Sequence, residues 1–202
     1  MTETVEVDVV IAGGGVAGTA AAAAVQQIGY RVLLIEPGQN DARRLAGEVF
    51  HPPGVAGLAE LGLLSALTCG SIATIKGFSV FSDGNCFRLP YDATHGKAGL
   101  CLEHGLIRER MLKAVSKLSN VTVKQKARVV GLQSEASRVV IEVTDGSVTS
   151  RYRCLMLIAA DGAPSRLARL AGIGVHDRRI STMIGYQVST RNFPEQIGRA
   201  HV

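Results

Sequence analysis

The chain has 202 residues, 47% of them hydrophobic, enough for one or two domains with a real core. No apolar run reaches the roughly 18 residues of a membrane span, and the acidic start MTETVEVD lacks the basic region of a signal peptide, so a cytoplasmic protein is expected. The net charge of +5 falls entirely in residues 151–202, where eight Arg face three acids; these arginines alternate with apolar residues and have no aromatic stacking platform, which argues against nucleic acid.

The first element is carried by VDVVIAGGGVAGTAA, residues 7–21. Val7 to Ala12 is β-branched and apolar, as a buried parallel strand requires. Gly13, Gly15 and Gly18 then fit G-x-G-x-x-G, and an alanine-rich helix is predicted from Val16 to Ile28. A second strand runs from Arg31 to Ile35 and ends at Glu36. In such a unit Gly13 permits the tight turn, Gly15 lets the backbone approach a pyrophosphate, and Gly18 lets helix and strand pack closely. The pyrophosphate faces the unpaired N–H groups at the helix start, where Val16 and Ala17 lie. Glu36, 18 residues beyond Gly18, accepts hydrogen bonds from a ribose 2′-OH, with Pro37 beside it. A carboxylate at that place repels a 2′-phosphate, so NADP is disfavoured. A dinucleotide is expected; the motif by itself does not separate FAD from NAD.

Residues 43–64, RRLAGEVFHPPGVAGLAELGLL, follow. Pro52, Pro53 and Gly54 break the chain, and Leu58, Leu61 and Leu64 or Leu67 recur at helical spacing from Val55 to Leu67. The segment resembles the R-x-x-G-E-x-x-x-P-x-G stretch of FAD-dependent monooxygenases, the family of aromatic hydroxylases and squalene monooxygenase, and is most similar to the squalene-monooxygenase form. Arg44, Gly47, Glu48, Pro52 and Gly54 match. The resemblance implies that the loop backs the isoalloxazine and that Arg43 or Arg44 lies near the flavin nucleotide, where an Arg suits a pyrophosphate.

Three further segments carry the resemblance. Residues 103–123, EHGLIRERMLKAVSKLSNVTV, look like the family helix that begins H-G-R: His104 and Gly105 match, but the Arg is Leu106, leaving Arg108 or Arg110 as the substitute cation. Val129 falls where family members touch adenine through the backbone. Residues 157–173, LIAADGAPSRLARLAGI, resemble D-G-x-x-S-x-x-R, with Asp161, Gly162 and Ser165 in place and Ala168 where Arg is expected. In the family this Asp meets the flavin ribose region. Leu155 to Ala160 reads as a buried strand leading into that turn.

Between the motifs, residues 71–100 carry short β-like runs and the turn signal Asp83-Gly84, and residues 121–153 read as a hairpin or three-stranded meander turning at Asp145-Gly146. The cysteines at 69, 86, 101 and 154 are too far apart for a metal knuckle, and no metal is expected. Ser65, His51 and Cys101 sit in no recognisable triad or nucleophile elbow, so no catalytic residue is assigned.

The expected fold is α/β: a Rossmann-like FAD-binding domain over residues 1–175, its parallel sheet joined by helices and a β-meander. Residues 71–100 contribute to a substrate-domain sheet, and residues 176–196 begin a truncated substrate domain. The family's later G-D-A-A-H motif has no counterpart after residue 173. The final IGRAHV, residues 197–202, is what ATCGGAAGAGCACACGTC encodes, the start of a common sequencing adapter, and is expected to be a non-native tail. The resemblance implies the N-terminal part of a flavin monooxygenase. In the whole enzyme NAD(P)H reduces FAD, and O2 is used to hydroxylate or epoxidise a small organic substrate, an apolar one on the likeness to squalene monooxygenase. Membrane contact is peripheral at most, and the oligomeric state is left open. The alternatives are a flavin-dependent halogenase, a geranylgeranyl-type reductase, or an inert nucleotide-binding fragment. The 202-residue chain alone is expected to hold FAD weakly, if at all, and to turn nothing over.

Overall fold

The computed structural model describes residues 4–38, 49–70, 72–92, 98–163 and 165–174. In chain order the elements are β1 (Thr4–Glu6), β2 (Val9–Ala12), α1 (Val16–Gln27), β3 (Val32–Glu36), β4 (Val49–Phe50), α2 (Pro52–Glu60), α3 (Leu64–Leu67), β5 (Ala73–Ile75), β6 (Gly77–Ser82) and β7 (Asn85–Pro90). They continue as β8 (Gly99–Cys101), α4 (His104–Val115), β9 (Val121–Gln125), β10 (Arg128–Ser134), β11 (Val139–Thr144), β12 (Thr149–Cys154), β13 (Met156–Ala159) and α5 (Arg166–Leu170).

The centre is a parallel sheet in the order β13-β2-β3-β9. Every residue of β2 and β3 is buried, because both faces of the sheet are covered. Val9, Ile11, Val32 and Leu34 pack with α1, α2, α3 and α4 on one side. Val10, Ala12, Leu33 and Ile35 pack on the other side with Val129, Ile141, Val143 and Cys154 of the β10–β11–β12 meander. This explains the unbroken apolar run of each strand, since a strand covered on one face alone would alternate. Each fully buried Ile or Leu contributes about 1.5–3 kcal/mol relative to exposure. Ile11 and Leu34, both wholly inaccessible, anchor the middle of the sheet.

Four expectations from the sequence need correction. Pro52, Pro53 and Gly54 do not break the chain ahead of a helix. They are the first residues of α2, where the missing N–H of Pro costs nothing because helix-start N–H groups have no intrahelical partner. The Val55–Leu67 helix is two helices, α2 and α3, separated at Leu61–Leu63 by Gly62 at φ +69°. The segment VTVKQKARVVGL is split between two sheets: β9 joins the parallel sheet, Lys126 turns the chain at φ +57°, and β10 starts the meander. Finally, among the described residues β13 is an edge strand with Met156 and Ala159 exposed, so Leu155 to Ala160 is not the buried strand its composition predicts.

The hairpin turn falls where the sequence places it. Asp83 and Gly84, at φ +50° and +78°, make the two-residue turn with both central residues at positive φ that suits the right-handed twist of a β-hairpin, and β6 pairs with β7 across it. Phe78 of that hairpin packs on His51 and Tyr91, and the Tyr91 hydroxyl lies 2.8 Å from His51 Nδ1. Burial pushes the Tyr91 phenol above its ordinary range. Among the described residues no helix is long and apolar enough to cross a membrane, and no cluster of His, Cys, Asp and Glu could hold a metal ion.

Candidate cofactor site

The carboxyl ends of the parallel strands converge on three glycines, where ligands of open α/β sheets bind. The Gly13 N–H continues the pairing of β2 with β3 by donating to the Ile35 carbonyl, 2.8 Å away. Gly13 then turns at φ +111°, and a Cβ there would overlap the Ala160 carbonyl. Gly18 lies over the Gly13 carbonyl, so a Cβ at 18 would overlap it. These two glycines bring α1, β2 and the end of β13 into backbone contact. Gly15 is different: a Cβ there meets nothing within 4 Å. Its space opens in front of α1, whose N-cap has no side-chain hydrogen bond and whose first turn holds no acidic residue. Val16 and Ala17 form that first turn, with Ala17 exposed. An uncapped 12-residue helix behind an open glycine presents N–H groups to an anion, which fits a pyrophosphate.

Glu36 ends β3 and is buried. Its Oε2 accepts the Gly14 N–H. Its Oε1 accepts the Gly38 N–H at 3.0 Å and Arg108 Nη2 at 2.9 Å. Arg108 comes from α4 and is itself largely covered, with 19% of its side chain exposed against 7% for Glu36. A cleft of about 290 Å³ opens beside this pair, lined also by Gly14, Gly38, Lys113 and Gln125. Gly14 is a residue that motif reading missed. It occupies an unspecified position of G-x-G-x-x-G, yet a Cβ on it would meet the Glu36 carboxylate at 2.8 Å. The middle glycine of the unbroken GGG is the available signal. Arg110, the other substitute cation, donates instead to the Leu67 carbonyl at 2.9 Å and ties α4 to α3.

Asp161 follows β13, and its Cα would lie 3.1 Å from a Cβ on Gly13. Its carboxylate accepts the Ser165 hydroxyl at 2.7 Å and the N–H groups of Arg166 at 2.7 Å and Leu167 at 3.0 Å. Ser165 in turn accepts the Ala168 N–H, so both side chains cap α5. Burial works against ionisation of Asp161, but the Leu167 N–H, the Ser165 hydroxyl and the Arg166 N–H outweigh it and hold the carboxyl below its ordinary range. Such a group adds stability above the unfolded-state value near 3.8 and loses it as pH falls through the lower folded-state value. Asp161→Asn is expected to cost about 1 kcal/mol at neutral pH. It should also flatten the fall in urea midpoint between about pH 5 and pH 2 relative to the parent. Gly162 supplies the turn, at φ +75°.

Pro37 is exposed beside Glu36. Val129 is buried in β10, at a register shift against β11, with its side chain in the core between meander and sheet. The nearby Ala127 N–H donates to the Glu36 carbonyl at 3.2 Å, which brings the β9–β10 turn to the same strand end. Arg43, Arg44, Gly47 and Glu48, and residues 176–202, lie outside the described residues. His104 opens α4 with its Nδ1 buried and without a hydrogen-bond partner among the described residues.

A parallel sheet whose glycine turn, helix start and terminal carboxylate meet at one edge defines a dinucleotide-binding domain of the Rossmann type. The comparisons narrow this: residues 6–200 match the model of the FAD binding domain, and the chain belongs to that family. Squalene epoxidase of Schizosaccharomyces pombe is 27% identical over 173 residues, covering 82% of this chain and 38% of the yeast protein. A squalene monooxygenase of Panax ginseng is 31% identical over 167 residues, covering 80% of this chain and 31% of its own length. The p-nitrophenol 4-monooxygenase of Pseudomonas putida DLL-E4 shares the fold, with a TM-score of 0.72 at 22% identity over 91% of this chain and 46% of its own. The chain thus spans about a third of the curated relatives it matches, and it is an FAD-binding domain of the FAD-dependent monooxygenase family.

Proposed function

We propose that the chain is the FAD-holding, N-terminal part of a flavin-dependent monooxygenase that takes electrons from NAD(P)H and adds oxygen to an apolar organic substrate. The meeting of Gly15, the uncapped α1 and Glu36 at one sheet edge carries this reading. Gly13, Gly15, Val16, Ala17 and Gly18 would cradle the pyrophosphate, and Glu36, Pro37 and Arg108 would flank the adenosine ribose. Val129 lies on the adenine side. Asp161 and Gly162 would meet the flavin half, the role that the family resemblance also gives to Arg43, Arg44, Gly47 and Glu48. The likeness to squalene epoxidases favours epoxidation. Bound FAD would supply the redox chemistry; this domain's own residues bind and orient it.

Residues 1–175 form the cofactor domain on this reading, with 71–100 passing into the substrate-domain sheet, 176–196 beginning that domain and 197–202 a tail foreign to it. A cytoplasmic location, with membrane contact no more than peripheral, is part of the same proposal.

Titrating FAD with the 202-residue chain tests the reading. Weak but saturable quenching of flavin fluorescence, competed by ADP, is expected. Gly15→Val should abolish it while leaving the urea midpoint within about 0.5 kcal/mol of the parent, because the extended backbone at φ −74° suits valine and its side chain enters open space. Parent protein that folds but never quenches flavin, or a Gly15→Val variant that quenches as well, would refute it.

A further inference from the structure

Glu36 alone would make this a site for an unphosphorylated ribose, since a carboxylate repels a 2′-phosphate. The structure does not leave Glu36 alone. A carboxylate offers about four acceptor positions. Gly38 and Arg108 fill the two on Oε1, and Gly14 takes one on Oε2. One acceptor is therefore left for a ribose, which carries two neighbouring hydroxyls. Beside it Arg108 has further N–H donors, and the same cleft holds Lys113. Two cations, Arg108 and Lys113, balance the two acids that line the cleft, Glu36 and Glu109.

We propose that Arg108 is a specificity-determining residue of the nucleotide site. Its pairing with Glu36 lets the site take adenosine nucleotides with or without a 2′-phosphate at comparable affinity. One ribose hydroxyl donates to Glu36 Oε2. The neighbouring oxygen, as hydroxyl or phosphate, accepts from Arg108, a planar donor suited to either. This rests on the reading of the cleft as the adenosine end of a dinucleotide site. Arg108 also acts through Glu36 as a positioning residue, holding the carboxylate against the Gly14 N–H.

The test compares 5′-ADP with 2′,5′-ADP by calorimetric titration of the 202-residue chain, with folding of each variant confirmed by circular dichroism. The parent is expected to bind the two within about threefold of each other. Arg108→Leu should weaken 2′,5′-ADP relative to 5′-ADP by at least about tenfold, as removal of one largely covered charge requires. Arg108→Lys should restore the ratio to within about threefold, and Glu36→Gln should shift it the other way. A merely structural Arg108 would weaken both ligands equally and leave the ratio unmoved. That result, or a parent that rejects 2′,5′-ADP more than about tenfold, overturns the proposal while the dinucleotide site stands. Failure of 5′-ADP to bind folded parent protein overturns both.

Discussion

Gly13→Ala is expected to destabilise the chain by about 4 kcal/mol or more, a large share of the 5–15 kcal/mol that holds a domain of this kind together. Two causes add. The residue sits at φ +111°, where a Cβ costs about 1–2 kcal/mol on its own. The new methyl would also overlap the Ala160 carbonyl. That carbonyl cannot retreat cheaply, because the Ala160 N–H donates to the Ala12 carbonyl at 2.8 Å and β13 is paired along its length with β2. Gly29→Ala separates the two causes. Gly29 ends α1 at φ +94°, with its N–H on the Gln26 carbonyl, and a Cβ there meets nothing within 4 Å. It should therefore cost only the backbone part, about 1–2 kcal/mol. Urea midpoints of the two variants decide the matter; equal losses would mean that the close approach of β2 and β13 contributes nothing.

The glycine turn was legible because each of its positions answers a local demand. Gly13 and Gly18 are forced by backbone contacts, and the strands beside them are apolar throughout because both faces are covered. The hairpin turn at Asp83-Gly84 was equally local and equally readable. What escaped depends on contacts distant in sequence. Whether β13 is buried depends on its place at the sheet edge, which four apolar residues do not disclose. The break between β9 and β10 turns on Lys126 adopting a positive φ, for which lysine gives no warning. Arg108 could be singled out as a spare cation on α4. Its partner, 72 residues earlier, could not, since the pairing depends on how α4 packs on α1. For the same reason Asp161 was read as a cofactor ligand with no sign that its carboxylate also caps α5.

The Glu36–Arg108 pair should show an asymmetry that an ordinary surface ion pair lacks. Removing either partner leaves the other poorly solvated, but not to the same degree. Arg108→Leu leaves Glu36 with the Gly14 and Gly38 N–H groups, which still stabilise its charge. Leucine also replaces the apolar stem of the arginine on α4, beside Leu112 of the same cleft. The expected loss is about 1–2 kcal/mol. Glu36→Ala strands more: the guanidinium loses its anion, and two N–H groups that met the carboxylate are left without it. It also empties volume at the end of β3, where Gly14 packs against the Glu36 stem. A loss of about 3–4 kcal/mol is expected. The double variant should cost less than the sum of the two, by about 1–2 kcal/mol, because the stranded guanidinium is gone. Urea denaturation of the four proteins closes the cycle. Additive losses would mean that the carboxylate is held by the glycine turn alone and that α4 reaches the nucleotide site without steadying it; a larger loss for Arg108→Leu than for Glu36→Ala would mean that the Gly14 and Gly38 N–H groups do not hold the carboxylate without Arg108.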